Sequence, residues 1–307
     1  MDEIRAACET VSRRARAVRI VTGAIPAYAR SLAAPLRQTT AQPAEAPPPG
    51  LDQAGIAAFW LTLDAINFGS GWFPTLRKRD GHSGYNTIAL AWREHHRAHG
   101  SFTPSQLTEL DAAAVAAILG QDPGHELIAL YARSLNDLGR RLRGAGGVST
   151  LIDAADGSAT ALARTLGDWD CFDDVSRYDE LDVPFLKRAQ IAAADLHRAG
   201  VAQFTDLQRL TMFADNLVPH VLRLDGVLAF DSELVTRIES ARLITHGSPQ
   251  EIEIRACALH AVELIVDALG DCGEPATAAA VDQTLWNRGQ RPRYKAVPRH
   301  RSRCTAY

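Results

Sequence analysis

Apolar residues recur at helical rather than alternating spacing along most of this chain. Residues 2 to about 37 predict two helical pieces, parted near Gly23-Pro26, before a proline-rich connection over residues 41–50. Leu51–Ile66 predicts a helix with Phe59, Trp60 and Leu63 on one side. It runs into the glycine-and-aromatic turn Asn67-Phe-Gly-Ser-Gly-Trp-Phe-Pro74, where backbone can approach a ligand closely. A further helix follows Ser83-Gly-Tyr85 and ends in Arg93-Glu-His-His-Arg97, with His95 and His96 read as a solvated face.

Thr103-Pro104 offers a cap and a first-turn proline to the next helix, and Asp122-Pro123 is read as the start of another, stopped at Gly144–Gly147. Leu151–Leu166 predicts one alanine-rich helix, and Trp169–Asp174 a loop. Pro184–Ala199 predicts a strong helix whose early Lys187 and Arg188 oppose the helix dipole and need a partner. Phe204–His220 is read as a short helical start and a longer helix, carrying Asp215 and Asn216 into an apolar face. Glu251–Asp267 predicts a long, nearly all-round apolar helix that still contains Glu251, Glu253, Arg255, His260 and Glu263. Heptads and repeats are absent and β-alternating runs few, so the class is mainly α. The expected organisation is a helical arm (1–40), a first helical lobe (51–166) and a second lobe (169–307).

Composition changes this picture little. The chain has 307 residues, long enough for one large core or two smaller ones, and a net charge of −3 that does not suit a non-specific nucleic-acid binder. Its five cysteines are scattered and odd in number, which suggests free thiols in a reducing, cytoplasmic setting and no zinc site. No stretch is apolar enough to span a bilayer, so no membrane partner is expected. Phosphate loops, serine elbows and zinc-peptidase motifs are all missing.

What remains is carboxylates beside aromatics and amides: Asp64, Asn67 and Phe68; Asp206; Asp215 and Asn216; Glu251, Glu253 and Arg255. Aromatic faces stack on flat heterocycles while Asn and Asp read their edges, and a carboxylate near an anomeric carbon stabilises an oxocarbenium-like transition state. A nucleoside-like ligand fits that set. Taken singly, Asp215 reads first as capping or hydrogen-bonding a neighbouring helix end, Asp206 serves equally well as a helix cap, and Glu251–Arg255 as a structural ion-pair network.

The motifs Leu63-Asp-Ala-Ile-Asn-Phe68, Ser83-Gly-Tyr85, Phe185-Leu-Lys-Arg-Ala-Gln190, Phe204-Thr-Asp-Leu207, Phe213-Ala-Asp-Asn216 and Glu251-Ile-Glu-Ile-Arg-Ala256 occur in one order, with the ending His300–Tyr307. As an ordered set covering nearly the whole chain, they resemble the queuosine salvage proteins, the queuosine 5′-phosphate N-glycosylases. The resemblance implies hydrolysis of queuosine 5′-phosphate to queuine and ribose 5-phosphate, with no cofactor and no metal. It also implies a helical fold similar to the DNA glycosylases and no stable nucleic-acid partner.

Asp215 is the expected catalytic carboxylate, with Asp231 on a downstream turn as its rival. Asp64, Asn67, Phe68, Tyr85, Lys187, Asp206, Asn216, His246, Glu251, Arg255 and Tyr307 are the expected substrate contacts. Lys187, Arg188 and the basic tail are candidates for the 5′-phosphate. Queuine is a 7-deazaguanine and lacks N7, so its departure needs hydrogen bonds elsewhere on the base. One departure from the family pattern is Gly69-Ser-Gly71, where bulkier residues are more usual. The alternatives are a nucleic-acid base glycosylase of similar fold and a non-catalytic queuine or nucleotide binder.

Overall fold

The computed structural model describes residues 1–40 and 46–307; the first half of the proline-rich connection falls outside them. In chain order the first elements are α1 (Asp2–Arg14), β1 (Val18–Ile20), α2 (Ile25–Thr40), α3 (Gln53–Ala65), α4 (Gly84–His99), α5 (Pro104–Glu109) and α6 (Ala112–Leu119). Then come α7 (Glu126–Gly144), α8 (Val148–Ala154), α9 (Ala159–Gly167), β2 (Val175–Tyr178), β3 (Leu181–Pro184) and α10 (Lys187–Arg198). The last are α11 (Leu217–Leu224), β4 (Leu228–Phe230), α12 (Ser232–Glu239), α13 (Pro249–Asp271), α14 (Ala278–Gly289) and α15 (Pro292–Lys295). The protein is mainly helical, and no helix among the described residues is long and apolar enough to cross a membrane.

The chain forms two compact units from interleaved pieces. The first takes Met1–Pro43, Val175–Lys187 and Gln208–Arg303. Its centre is α13, capped by Ser248 and opened by Pro249, with every residue from Glu251 to Leu259 buried. Helices α1, α2, α11 and α14 pack on it. β1 pairs antiparallel with β4, Val18 opposite Phe230, and β2 forms a hairpin with β3. Glu253 is buried in α13, yet it is fully engaged: Oε2 accepts the N–H groups of Arg16, Ala17 and Val18 at 3.0, 2.7 and 3.2 Å. The Tyr178 hydroxyl donates to Oε1 at 2.8 Å. Asp225 plays a similar part, accepting from Tyr28, Arg288, Arg293 and Tyr294.

The second unit takes Ala44–Asp174, Arg188–Leu207 and Cys304–Tyr307. Its centre is α7, against which α3, α5 and α6 pack. Gly139 allows α5 its close approach, since a Cβ there would lie 2.7 Å from the Pro104 carbonyl. The expected Thr103 cap forms, and Gln106 completes it as a capping box.

Several expectations change in the structure. Leu151–Leu166 is two helices, broken where Asp156 and Gly157 take φ of 46° and 69°. The helix expected from Asp122 begins at Glu126, because His125 rather than Asp122 caps it. The break in the N-terminal arm falls earlier and holds β1, while Pro26 sits in the first turn of α2. His96 is no solvated residue: it is 1% exposed, between Trp92, Phe59 and Phe102, and burial holds its pKa down to about 4. Phe204–Asn216 is irregular apart from one 3-10 turn at Leu207–Arg209, and the helix begins only at Leu217.

Candidate active site

In the first unit, the segment before α11 owes its shape to polar contacts rather than helix propensity. Asp215 Oδ1 accepts the N–H groups of Leu217 and Val218 at 2.8 and 3.0 Å, capping α11 from just outside it. Two otherwise orphaned helix N–H groups thereby fix one carboxylate oxygen, while the residue stays half-buried. Asn216 turns the other way and donates from Nδ2 to the His300 carbonyl at 3.0 Å. The N–H of Phe213 donates to Asp282 Oδ1 at 3.1 Å. Arg299, half-buried, lies within electrostatic reach of Asp215.

Behind this segment stands a buried chain of charge. Arg255 Nε donates to the Ala214 carbonyl at 2.9 Å, and its guanidinium lies 3.9 Å from the centroid of the Phe185 ring. Arg255 Nη1 is 3.8 Å from Glu251 Oε1, which is in turn 3.5 Å from His246 Nδ1. The Gly247 N–H donates to Glu251 Oε2 at 3.1 Å. Burial alone would raise the Glu251 pKa; His246, Arg255 and the Gly247 N–H reverse that and bring it to about 2. Burial holds His300 neutral, with its pKa pushed down to about 3. Lys187 is buried, directly after Leu186 at a φ of 50°. Asp231 caps α12 through Leu234 N–H at 2.7 Å.

The second unit gathers another set. Arg188 is fully buried, and its Nη1 donates to the Ala65 carbonyl at 2.8 Å and to the Cys171 carbonyl. These carbonyls are the partners that a cation at this end of α10 required. Its guanidinium lies 5.0 Å from the Phe68 ring centroid and 5.4 Å from that of Phe172. Burial lowers the Arg188 pKa, against the opposing influence of Cys171, Asp174, Cys304 and Asp64. Phe68 also meets Tyr131 edge-on, and the Tyr131 hydroxyl donates to the Phe68 carbonyl at 2.8 Å. Asp64 is buried at the end of α3, just before Asn67. The Gly69 N–H donates to the carbonyl of Tyr307 at 3.0 Å, joining the glycine turn to the final residues.

Tyr85 stands half-buried in the first turn of α4, after the Ser83 cap. Asp206 holds the start of α9, accepting from Ser158 Oγ, Ala159 N–H and the Thr160 hydroxyl at 2.7, 2.6 and 2.8 Å.

The structure thus gathers Asp215, Asn216, Glu251, Arg255 and His246 in one unit, and Asp64, Phe68, Arg188 and Tyr307 in the other. Asp206 and Asp231 are helix caps. Sequence reasoning missed Phe185 as the ring beneath Arg255, and did not single out Arg299 and His300 within the basic tail. The adjacency of an arginine and a histidine is no signal until the chain returns beside Asp215. Among the described residues, no group of three or more His, Cys, Asp or Glu side chains is arranged to hold a metal ion.

Comparison with known proteins bears on the chemistry. The family model described as "Queuosine salvage protein" matches residues 49–307. A Sphaerobacter thermophilus protein named queuosine 5′-phosphate N-glycosylase/hydrolase is 36% identical over 266 residues, covering 82% of this chain and 81% of the relative. Proteins of the same name from Bos taurus and Dictyostelium discoideum are 34% and 35% identical, covering 57% and 51% of this chain and 56% and 50% of those relatives.

Proposed function

The chain belongs to the queuosine salvage protein family, and we propose that it hydrolyses the N-glycosidic bond of queuosine 5′-phosphate, releasing queuine and ribose 5-phosphate. The observation that carries this reading is the setting of Asp215. One oxygen is fixed by two backbone N–H groups, and the residue remains half-buried rather than sealed in. The second oxygen is available to face the anomeric carbon.

In this mechanism Asp215 stabilises positive charge as the bond from the anomeric carbon to the base nitrogen breaks, and orients the water that replaces the base. The water oxygen becomes the new hydroxyl of ribose 5-phosphate, and its proton balances the departing queuine anion. Arg255, Glu251 and His246 support the loop from behind, so Asp215 does not swing away as charge develops. Arg299 and Lys187 are the candidate cations for the 5′-phosphate. We read the helical scaffold as similar to the DNA glycosylases and the setting as cytoplasmic; both rest on the family resemblance and on the charge and cysteine pattern.

The test incubates the purified protein with queuosine 5′-phosphate or guanosine 5′-phosphate and follows free base by mass spectrometry. Queuine without guanine is expected. Asp215→Asn should lower the rate by about 10²- to 10⁴-fold while substrate still binds. A full rate in Asp215→Asn would overturn the assignment of Asp215, and no queuine from the unaltered chain would overturn the reaction.

A further inference from the structure

The first unit carries a second place suited to an anion. A cleft of about 520 Å³ opens between the end of α1, the β1–β4 pair and the outer face of α13. Its lining includes Arg13, Arg16, Arg19, Phe230, Asp231 and His260. Arg13 pairs with Glu9. Arg16 and Arg19 are exposed, and among the described residues neither guanidinium has a carboxylate within ion-pairing distance. Isolated surface arginines are screened by solvent, but a concave wall carrying several cations concentrates the potential inside it.

The remaining lining adds selectivity. Asp231 Oδ1 is engaged by the Leu234 N–H, which leaves Oδ2 to accept from a hydroxyl. Phe230 and Leu264 give an apolar wall, and His260 is half-buried. The volume lies within the range of small-molecule sites. Ser12 to Thr22, which supply all three arginines, precede the region matched by the family model, whereas Phe230, Asp231, His260 and Leu264 lie within it.

We propose that this cleft binds an organic phosphate bearing hydroxyls, of sugar-phosphate to nucleotide size, with Arg16 and Arg19 on the phosphate and Asp231 on a hydroxyl. The proposal stands whether or not the chain is a hydrolase.

Calorimetric titration with ribose 5-phosphate, guanosine 5′-monophosphate and inorganic phosphate, at fixed ionic strength near neutral pH, tests it. Saturable binding of both organic phosphates is expected, weakened about tenfold or more in the double variant Arg16→Gln/Arg19→Gln. Any binding at Asp215 survives in that variant, so the loss reads as one site of two. Queuine release by the double variant, without added phosphates, should match the unaltered chain. Asp231→Asn should weaken the organic phosphates and leave inorganic phosphate unchanged. Equal affinity in the double variant overturns the site. Equal effects of Asp231→Asn on all three probes overturn the hydroxyl contact. Arginine-dependent binding without queuine release would sink the hydrolase reading and keep this one.

Discussion

Arg255 holds Ala214 by its backbone: Nε donates at 2.9 Å to the carbonyl one residue before Asp215, from a side chain with no solvent exposure. Shifting Arg255 shifts the carboxylate that follows. Arg255→Lys keeps the charge and loses the planar fork and the stacking on Phe185. We expect kcat to fall about 10- to 100-fold with KM little changed, since a misplacement near 1 Å is costly at a reacting centre. Steady-state kinetics beside a circular-dichroism melt checks this; a raised KM at unchanged kcat would instead make Arg255 a binding residue.

Asp206 separates structure from function in the other unit. Its carboxylate caps α9 through three close contacts. Asp206→Ala should cost about 1–2 kcal/mol of stability, as other cap deletions do. Denaturant unfolding measures that, and the folded variant should release queuine at the unaltered rate. A large rate loss with full stability would return Asp206 to the substrate.

Gly69 is fixed by its surroundings. Its φ is 107°, and a Cβ there would lie 2.6 Å from Leu127 Cδ1. A glycine is therefore required here by this chain's own packing. Gly69→Ala should destabilise by about 1–3 kcal/mol, read from the shift in unfolding midpoint.

Acid should unfold this protein through its histidines as well as its carboxylates. Burial lowers His96 and His220 to about 4 and His300 to about 3, from 6.5. Between 6.5 and those values the unfolded chain holds protons that the folded chain does not, so stability falls as pH falls. Glu251, at about 2 against 4.5, adds its own loss below 4.5 in the same direction. Denaturant midpoints measured from pH 7 downward should begin to fall near 6.5, and His300→Gln should flatten the slope if its fold persists.

The helices with strong local signals were legible in the sequence. Thr103 with Pro104 places a helix start that short-range chemistry alone decides. The segment before α11 was not legible, because Leu207, Leu210 and Phe213 mimic a helix face while Asp282 and Arg255, distant in sequence, hold it irregular. The β2–β3 hairpin escaped for a related reason: four-residue strands give too short an alternation. For the site, sequence order marked Asp215 and Asn216 as notable. It could not separate them from Asp206 and Asp231, since all three carboxylates accept helix-start N–H groups and only contacts distant in sequence tell them apart.

Glu253 carries a consequence for how this protein can be cut. The three N–H groups of Arg16, Ala17 and Val18 act as its counter-ion, made of backbone. A shortened chain starting where the family match begins, at residue 49, would leave the Glu253 carboxylate buried near the start of α13 with the Tyr178 hydroxyl in place but without those three N–H groups. The cooperative unit therefore reaches further toward the N-terminus than the family-model match does, and solubility on truncation should fail before the chemistry is touched.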